Sequence, residues 1–152
     1  MITKNFKKGH IVEYAKQVGT IVSISERKEC SIILFDGNKV QTNIANLEGI
    51  ILSKQILKTI GFTQFDSGYI SSFLKDSGKS KLGYYYPTVS LGYYDNNVFG
   101  FVFIRNTKKH YTEIIHINHF HELQEVYKEK GYSIPISSDM LFNFQEYIMY
   151  YS

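Results

Sequence analysis

The order of apolar and polar positions divides the chain into a strand-rich opening, a short helix, a long run of strands and two helical stretches. Tyr111, Ile115 and Ile117 alternate as one face of a half-buried strand does, and Phe120, Leu123, Val126 and Tyr127 then recur at helical spacing. Asn118 offers a cap for that helix, and Glu122, Glu125, Lys128 and Glu129 fall on its opposite, wet side. Gly131 tolerates the left-handed conformation in which many helices end.

The chain from Gly9 to Ala45 reads as a small β unit. His10 to Lys16, Val18 to Ser25 and Glu29 to Phe35 are short Val- and Ile-rich strands, and Asp36-Gly37 predicts a two-residue hairpin turn into Asn38 to Ile44. Four short strands with tight turns suit a little barrel of the Src-homology or KOW type, which gives a first module over residues 1–49. Residues 50–152 then form an α+β region that is either separate or continuous with it. Ser53 caps a short amphipathic helix carrying Ile56, Leu57 and Ile60, and Gly61 stops it.

Antiparallel strands are expected next, at about Phe62 to Phe65, Tyr69 to Lys75, Leu82 to Tyr86, Thr88 to Tyr94, Val98 to Arg105 and His110 to Ile117. Asp95-Asn96-Asn97 and Asn106-Thr107-Lys108 carry turn chemistry. A three-residue loop at Asp95 to Asn97 places Gly92 opposite Gly100. The strand from Val98 to Ile104 is apolar on both sides, which predicts an inner strand covered on both faces. Pro135 blocks helix continuation, and Ser137 or Ser138 caps a last helix. Met140, Leu141, Phe144, Tyr147, Ile148 and Tyr151 share one of its faces. The fold class is thus α+β: an N-terminal small β-barrel, a short helix, and an antiparallel sheet with two C-terminal helices packed on it. The Tyr- and Met-rich Ser138–Tyr151 helix can also pair with a second copy in a homodimer.

Composition narrows the functional classes. Lys plus Arg is 17 against 14 Asp plus Glu, a balance too slight to force a nucleic-acid or membrane reading. Arg27 and Arg105 are the only arginines, which weighs against a dedicated phosphate-gripping surface. Cys30 stands alone, so no internal disulfide can form and a reducing compartment is expected. The first ten residues hold no apolar run of signal-peptide length, and no segment approaches the length that spans a bilayer. The chain therefore reads as soluble and cytoplasmic, with no membrane partner.

Three patches carry a resemblance: Gly9-His10-Ile11-Val12 with Gly19-Thr20-Ile21-Val22, then Ile50 to Phe62 (IILSKQILKTIGF), then His121 to Tyr127 (HELQEVY). The chain resembles a family of small uncharacterised proteins of Bacteroidetes bacteria and their phages or mobile elements, whose members read roughly IPLTEEILLKIGF and later HQLQNLYFALTG. The patches span most of residues 9–131. No activity is attached to the family, so the resemblance implies a phage-type context, with the host cytoplasm as the setting, and a shared fold. It carries over no catalytic residue. The chain departs from the pattern by one residue fewer after Tyr127 and by the added 137–152 helix.

Histidines concentrate between His110 and His121. Residues six apart on one strand lie roughly 20 Å from each other, so His110 and His116 cannot share an ion. His116, His119 and His121 are weak metal candidates across the strand-to-helix junction, and polar contacts at the helix start are the plainer explanation. His110-Tyr111-Thr112 has the His-x-Thr form of two-histidine phosphoesterases, but no second such motif exists in the chain. A hydrolase using the His110 to His121 region is therefore an alternative without a complete residue set. Cys30, inside a Ser-Ile-Ile strand, reads as core packing.

A ligand-binding surface is better served by Tyr84, Tyr86, Tyr93, Arg105, Lys108, Lys109 and Tyr111, since rings interleaved with basic groups stack on bases and hold phosphates. Core packing accounts for at least half of these aromatics. The sequence thus points to a non-catalytic binding protein of phage or mobile-element type, without a cofactor. Such a protein could serve in counter-defence by sequestering a nucleotide-type signal or blocking a host protein. Binding of DNA or RNA through the barrel and the Tyr/Lys face is the alternative.

Overall fold

Short Val- and Ile-rich segments separated by turn residues become strands, and the longer 3.6-period stretches become helices, giving an α+β chain with two five-stranded antiparallel sheets among the described residues. The structure is a computed structural model; it describes residues 5–67, 70–74, 88–94, 97–106, 111–129 and 134–151, with the strands between 63 and 114 described through backbone pairing. The chain divides into two compact units. Unit 1 comprises Met1–Ile50 with Ile136–Ser152, and unit 2 comprises Ile51–Pro135.

In unit 1, β1 (Ile11–Tyr14), β2 (Gln17–Ile24), β3 (Glu29–Leu34) and β4 (Lys39–Asn43) follow one another by hairpins. A 3₁₀ turn at Ile44–Asn46 leads to β5 (Glu48–Gly49), which pairs with β1. The strand order is β4-β3-β2-β1-β5. The ladder ends at β4 and at β5, and no pairing joins those two ends among the described residues. The expected small barrel therefore stands in the structure as an open antiparallel sheet.

Strand alternation sends Val12, Ile21, Cys30, Ile32 and Leu34 into one apolar cluster with Phe6 and Leu47. Full burial of each large side chain contributes about 1.5 to 3 kcal/mol relative to exposure. Cys30 lies in this cluster at 1% exposure, as core packing required. An irregularity at Val22 breaks the β2–β3 register between Ile21 and Ser23.

The turns depart from the sequence expectation in two places. Tyr14 pairs with Gln17, leaving Ala15-Lys16 as a two-residue loop with φ of 48° and 66°, the left-handed pair of a type I′ turn built without glycine. At the β3–β4 hairpin the Gly37 N–H donates to the Leu34 C=O and the Leu34 N–H to the Asn38 C=O. The loop is thus Phe35-Asp36-Gly37, three residues rather than two, with Gly37 at φ 92° in the position that favours glycine.

Unit 2 opens with α1 (Lys54–Thr59). Ser53 Oγ accepts the Ile56 N–H at 3.2 Å, so the predicted cap is the observed one. The Phe62 N–H reaches back to the Leu57 C=O and the Gly61 N–H to the Lys58 C=O, with Gly61 at φ 93°, the paired bonds of a Schellman ending. β6 (Thr63–Ser67), β7 (Ile70–Leu74), β8 (Thr88–Tyr94), β9 (Asn97–Asn106) and β10 (Tyr111–Ile117) then form a meander of order β10-β9-β8-β7-β6. β9 is an inner strand, as its two-sided apolar pattern requires. The strand expected at Leu82 to Tyr86 lies outside the described residues. Tyr94 pairs with Asn97, one residue tighter than a three-residue loop, and this shifts the register so that Gly92 faces Phe99 and Gly100 faces Leu91. The expected Gly92–Gly100 notch does not form.

Unit 2 closes with α2 (Phe120–Glu129), which buries Phe120, Leu123, Val126 and Tyr127. Its Tyr127 ring meets Phe62 at 6.0 Å between centroids. The sequence places the last helix, α3 (Ser138–Tyr151), on the second sheet. The structure corrects this placement: α3 belongs to unit 1 and lies against β2. Its buried stripe is Phe144 and Ile148, and Gln145 bonds the strand directly, Oε1 accepting the Val18 N–H at 2.7 Å and Nε2 donating to the Lys16 C=O at 2.9 Å.

Candidate functional site

The chemistry singled out by sequence lies mostly at the passage from β10 into α2. Ile117 ends the strand buried, and Ile51 bridges to His119 while the Leu52 N–H donates to the Asn118 C=O, so the chain before α1 fixes the residues that open α2. The helix cap falls one residue later than expected. His119, not Asn118, occupies the cap position, and Glu122 three residues on folds back to serve it.

Glu122 Oε1 accepts the His119 N–H at 3.1 Å, the Asn118 N–H at 3.3 Å and the His119 Nδ1 at 2.7 Å. This is the carboxylate half of a capping box, in which the third helical residue satisfies N–H groups that the first turn leaves without helical partners. The negative charge also sits at the positive end of the helix dipole. One carboxylate oxygen thus does three structural jobs at the start of α2.

The three metal candidates separate once they are placed. His116 is exposed on β10 opposite Phe101, His119 is half-buried at the cap, and His121 is buried at 8% exposure with its Nδ1 shut off from solvent. The His119 and His121 rings stack at 5.5 Å with planes 24° apart, which sets their faces together instead of aiming two nitrogen lone pairs at one point. Among the described residues no group of three His, Cys, Asp or Glu side chains is placed to hold a metal ion. An imidazole oriented by a carboxylate can relay a proton to a bound group, but His119 directs its Nδ1 at an oxygen already taken up by two backbone N–H groups.

Of the proposed binding surface, Tyr84, Tyr86, Lys108 and Lys109 lie outside the described residues, as does His110. Tyr93, Arg105 and Tyr111 are placed by register. Arg105 pairs with Thr112 and Tyr111 with Asn106, adjacent steps at one end of the β9–β10 ladder. Tyr93 pairs with Val98 near the other end of β9, eight residues from Asn106 and so roughly 27 Å away at about 3.4 Å per residue. Arg105 and Tyr111 lie at the same end of the ladder but one register step apart, which strand alternation assigns to opposite faces, and Tyr93 lies at the other end.

Sequence reasoning overlooked His10 and Gln145. His10 is buried at 2% exposure, and its Nδ1 accepts the Lys7 N–H at 2.9 Å, which closes the turn into β1. Gln145 follows Phe144 in α3, and a polar amide bordering an apolar stripe is the signal that could have marked it.

No family model, curated protein or solved structure matches the chain. The site is therefore read from its own chemistry. No helix among the described residues is long and apolar enough to cross a membrane.

Proposed function

We propose that the chain is a non-catalytic binding protein of phage or mobile-element type that works in the host cytoplasm as a counter-defence protein, blocking a host protein or sequestering a nucleotide-type signal. The observation behind this reading is the use of the His119–Glu122 pair. The His119–Glu122 imidazole–carboxylate couple, in the region that sequence offers for catalysis, is spent on starting α2. Groups that a hydrolase would keep available are here part of the scaffold.

Unit 1 supplies the binding half of the proposal. A strand order of β4-β3-β2-β1-β5 with a 3₁₀ turn leading into β5 supports a Src-homology or KOW type of small barrel, an architecture used for peptides and nucleic acid alike. On α3, Phe142 at 52% exposure and Met149 at 63% stand seven residues apart on one side of the helix, which supports a homodimer through the Ser138–Tyr151 helix.

Native mass spectrometry of the protein purified from cells carrying the phage tests the proposal. A retained nucleotide-sized mass, or a stoichiometric host protein, with no turnover of the retained molecule, is expected. Consumption of a nucleotide by the purified chain overturns it. Binding to DNA or RNA that weakens steeply with salt replaces it by the nucleic-acid alternative.

A further inference from the structure

The second sheet sorts its residues into two faces of different chemistry. Backbone pairing puts Ile117, Gly100, Leu91, Ser71 and Asp66 in one row across the five strands, and His116, Phe101, Ser90, Ser72 and Phe65 in the next. Strand alternation assigns the two rows to opposite faces. Ile117 is 1% exposed whereas His116 beside it is exposed, so at that end of β10 the His116 side is the one open to solvent. Phe99, Phe101 and Phe103 fall on the His116 face, at every second position of the inner strand β9. Their β8 partners are Gly92, Ser90 and Thr88. Rings in a closely packed face are commonly paired with other rings or with branched chains, and a short partner opposite each phenylalanine leaves room beside the row. Charge divides in the same way. Among the residues of β6 to β10, the carboxylates Asp66 and Glu113 fall on the other face with Tyr93 and Tyr111, and Arg105 falls with His116 on this one.

We propose that this face binds a short single-stranded oligonucleotide, with bases stacked on Phe99, Phe101 and Phe103 and a phosphate held by Arg105. The inference rests on the binding reading above and names its site and ligand class. Every base has a π-face that an aromatic ring can meet, and a cation on a face without carboxylates suits the phosphates that join the bases. Alternate residues of a strand lie about 6.8 Å apart, a step that one nucleotide of an extended, unstacked strand can span. Phe99-Gly100-Phe101-Val102 also carries the aromatic–glycine–aromatic–valine run with which RRM sheets present rings to unpaired bases. This five-stranded meander is not that four-stranded fold, so the likeness lies in the strand alone. One base to each phenylalanine makes the ligand a trinucleotide in length.

Fluorescence anisotropy of a labelled triadenylate with the full chain at low salt tests the site. The parent chain should bind it. Phe101→Leu, which keeps an apolar side chain and removes the ring, should bind about tenfold more weakly, and Phe101→Tyr should keep the parental affinity. Arg105→Gln should lower the slope of log affinity against log salt by about one, whereas Glu113→Gln on the other face should leave affinity unchanged. In the parent chain, NMR titration with triadenylate should shift the ring signal of exposed His116 and leave that of buried His121 in place, a readout that needs no variant to fold. Absence of triadenylate binding, equal binding by the parent and Phe101→Leu, or an unmoved His116 signal overturns the site and leaves the binding reading standing. Affinity for a long adenylate strand alone, or consumption of triadenylate, overturns the site and that reading together.

Discussion

Two places in unit 1, the Ala15-Lys16 turn and Cys30, each make a prediction of definite sign. Ala15 and Lys16 both hold left-handed φ without being glycine, a conformation that costs L-residues roughly 1 to 2 kcal/mol each. Lys16→Gly relieves that strain, less roughly 0.4 to 1 kcal/mol for the looser unfolded chain, and should raise stability by about 0.5 kcal/mol in urea melts. Ala15→Val puts a β-branched side chain at φ 48° and should lower stability by about 2 kcal/mol in the same melts. Cys30 is the second position. Burial, and after it the Glu29 carboxylate, push its thiol above the ordinary 9.0. The folded chain keeps this proton where the unfolded chain has begun to lose it, so Cys30 leaves stability unchanged well below 9.0 and subtracts from it as pH rises beyond. Urea melts at mildly acidic pH and above pH 9.0 should show that excess alkaline loss in the parent chain and not in Cys30→Ala, and the native thiol should resist alkylation until the chain opens.

Local chemistry decides which elements can be read from sequence. α1 was legible at both ends because Ser53 and Gly61 are the residue types that cap and stop helices by their own geometry. α2 was legible in its buried stripe but not in its start, since histidine is not a usual cap and the bonding is done by Glu122, which periodicity assigns to the wet face. The Ala15-Lys16 turn was missed because it lacks the Gly or Asn that marks such turns, and one residue of loop length moved Gly92 off Gly100. Of the candidate site, the helix-start contacts of His119 follow from its place one residue before Phe120, whereas the separation of Tyr93 from Arg105 and Tyr111 depends on register, which composition does not carry. The reading of Glu122 as a cap has a measurable consequence. Glu122→Ala leaves two backbone N–H groups and the His119 ring without their acceptor and should destabilise by about 1 to 2 kcal/mol. Ser53→Ala, which removes a single capping bond, should cost about 1 kcal/mol in thermal melts, so a smaller loss for Glu122→Ala than for Ser53→Ala would mean that the carboxylate is not the cap it is taken to be.

At the scale of the molecule, unit 1 is assembled from both ends of the chain, with the whole stretch Ile51–Pro135 between them. Closing a longer loop adds only slowly to the entropic cost, so a helix this far away in sequence can still complete the first sheet. Sequence could not foresee it, because an amphipathic pattern states that α3 has a face to bury and is silent on which surface receives it. Phe144 is the side chain that commits the helix, at 0% exposure and among the largest fully buried residues of the described chain. Phe144→Ala should cost about 3 to 5 kcal/mol, the range for deleting a buried ring from a packed site. The loss should be read in β1–β4 as well as in α3, because α3 and β2 belong to one unit. Amide exchange distinguishes two ways of being attached. Faster exchange that spreads from α3 into β1–β4 is the expected outcome and makes the helix part of the core of unit 1; faster exchange confined to α3 and Val18 would overturn it.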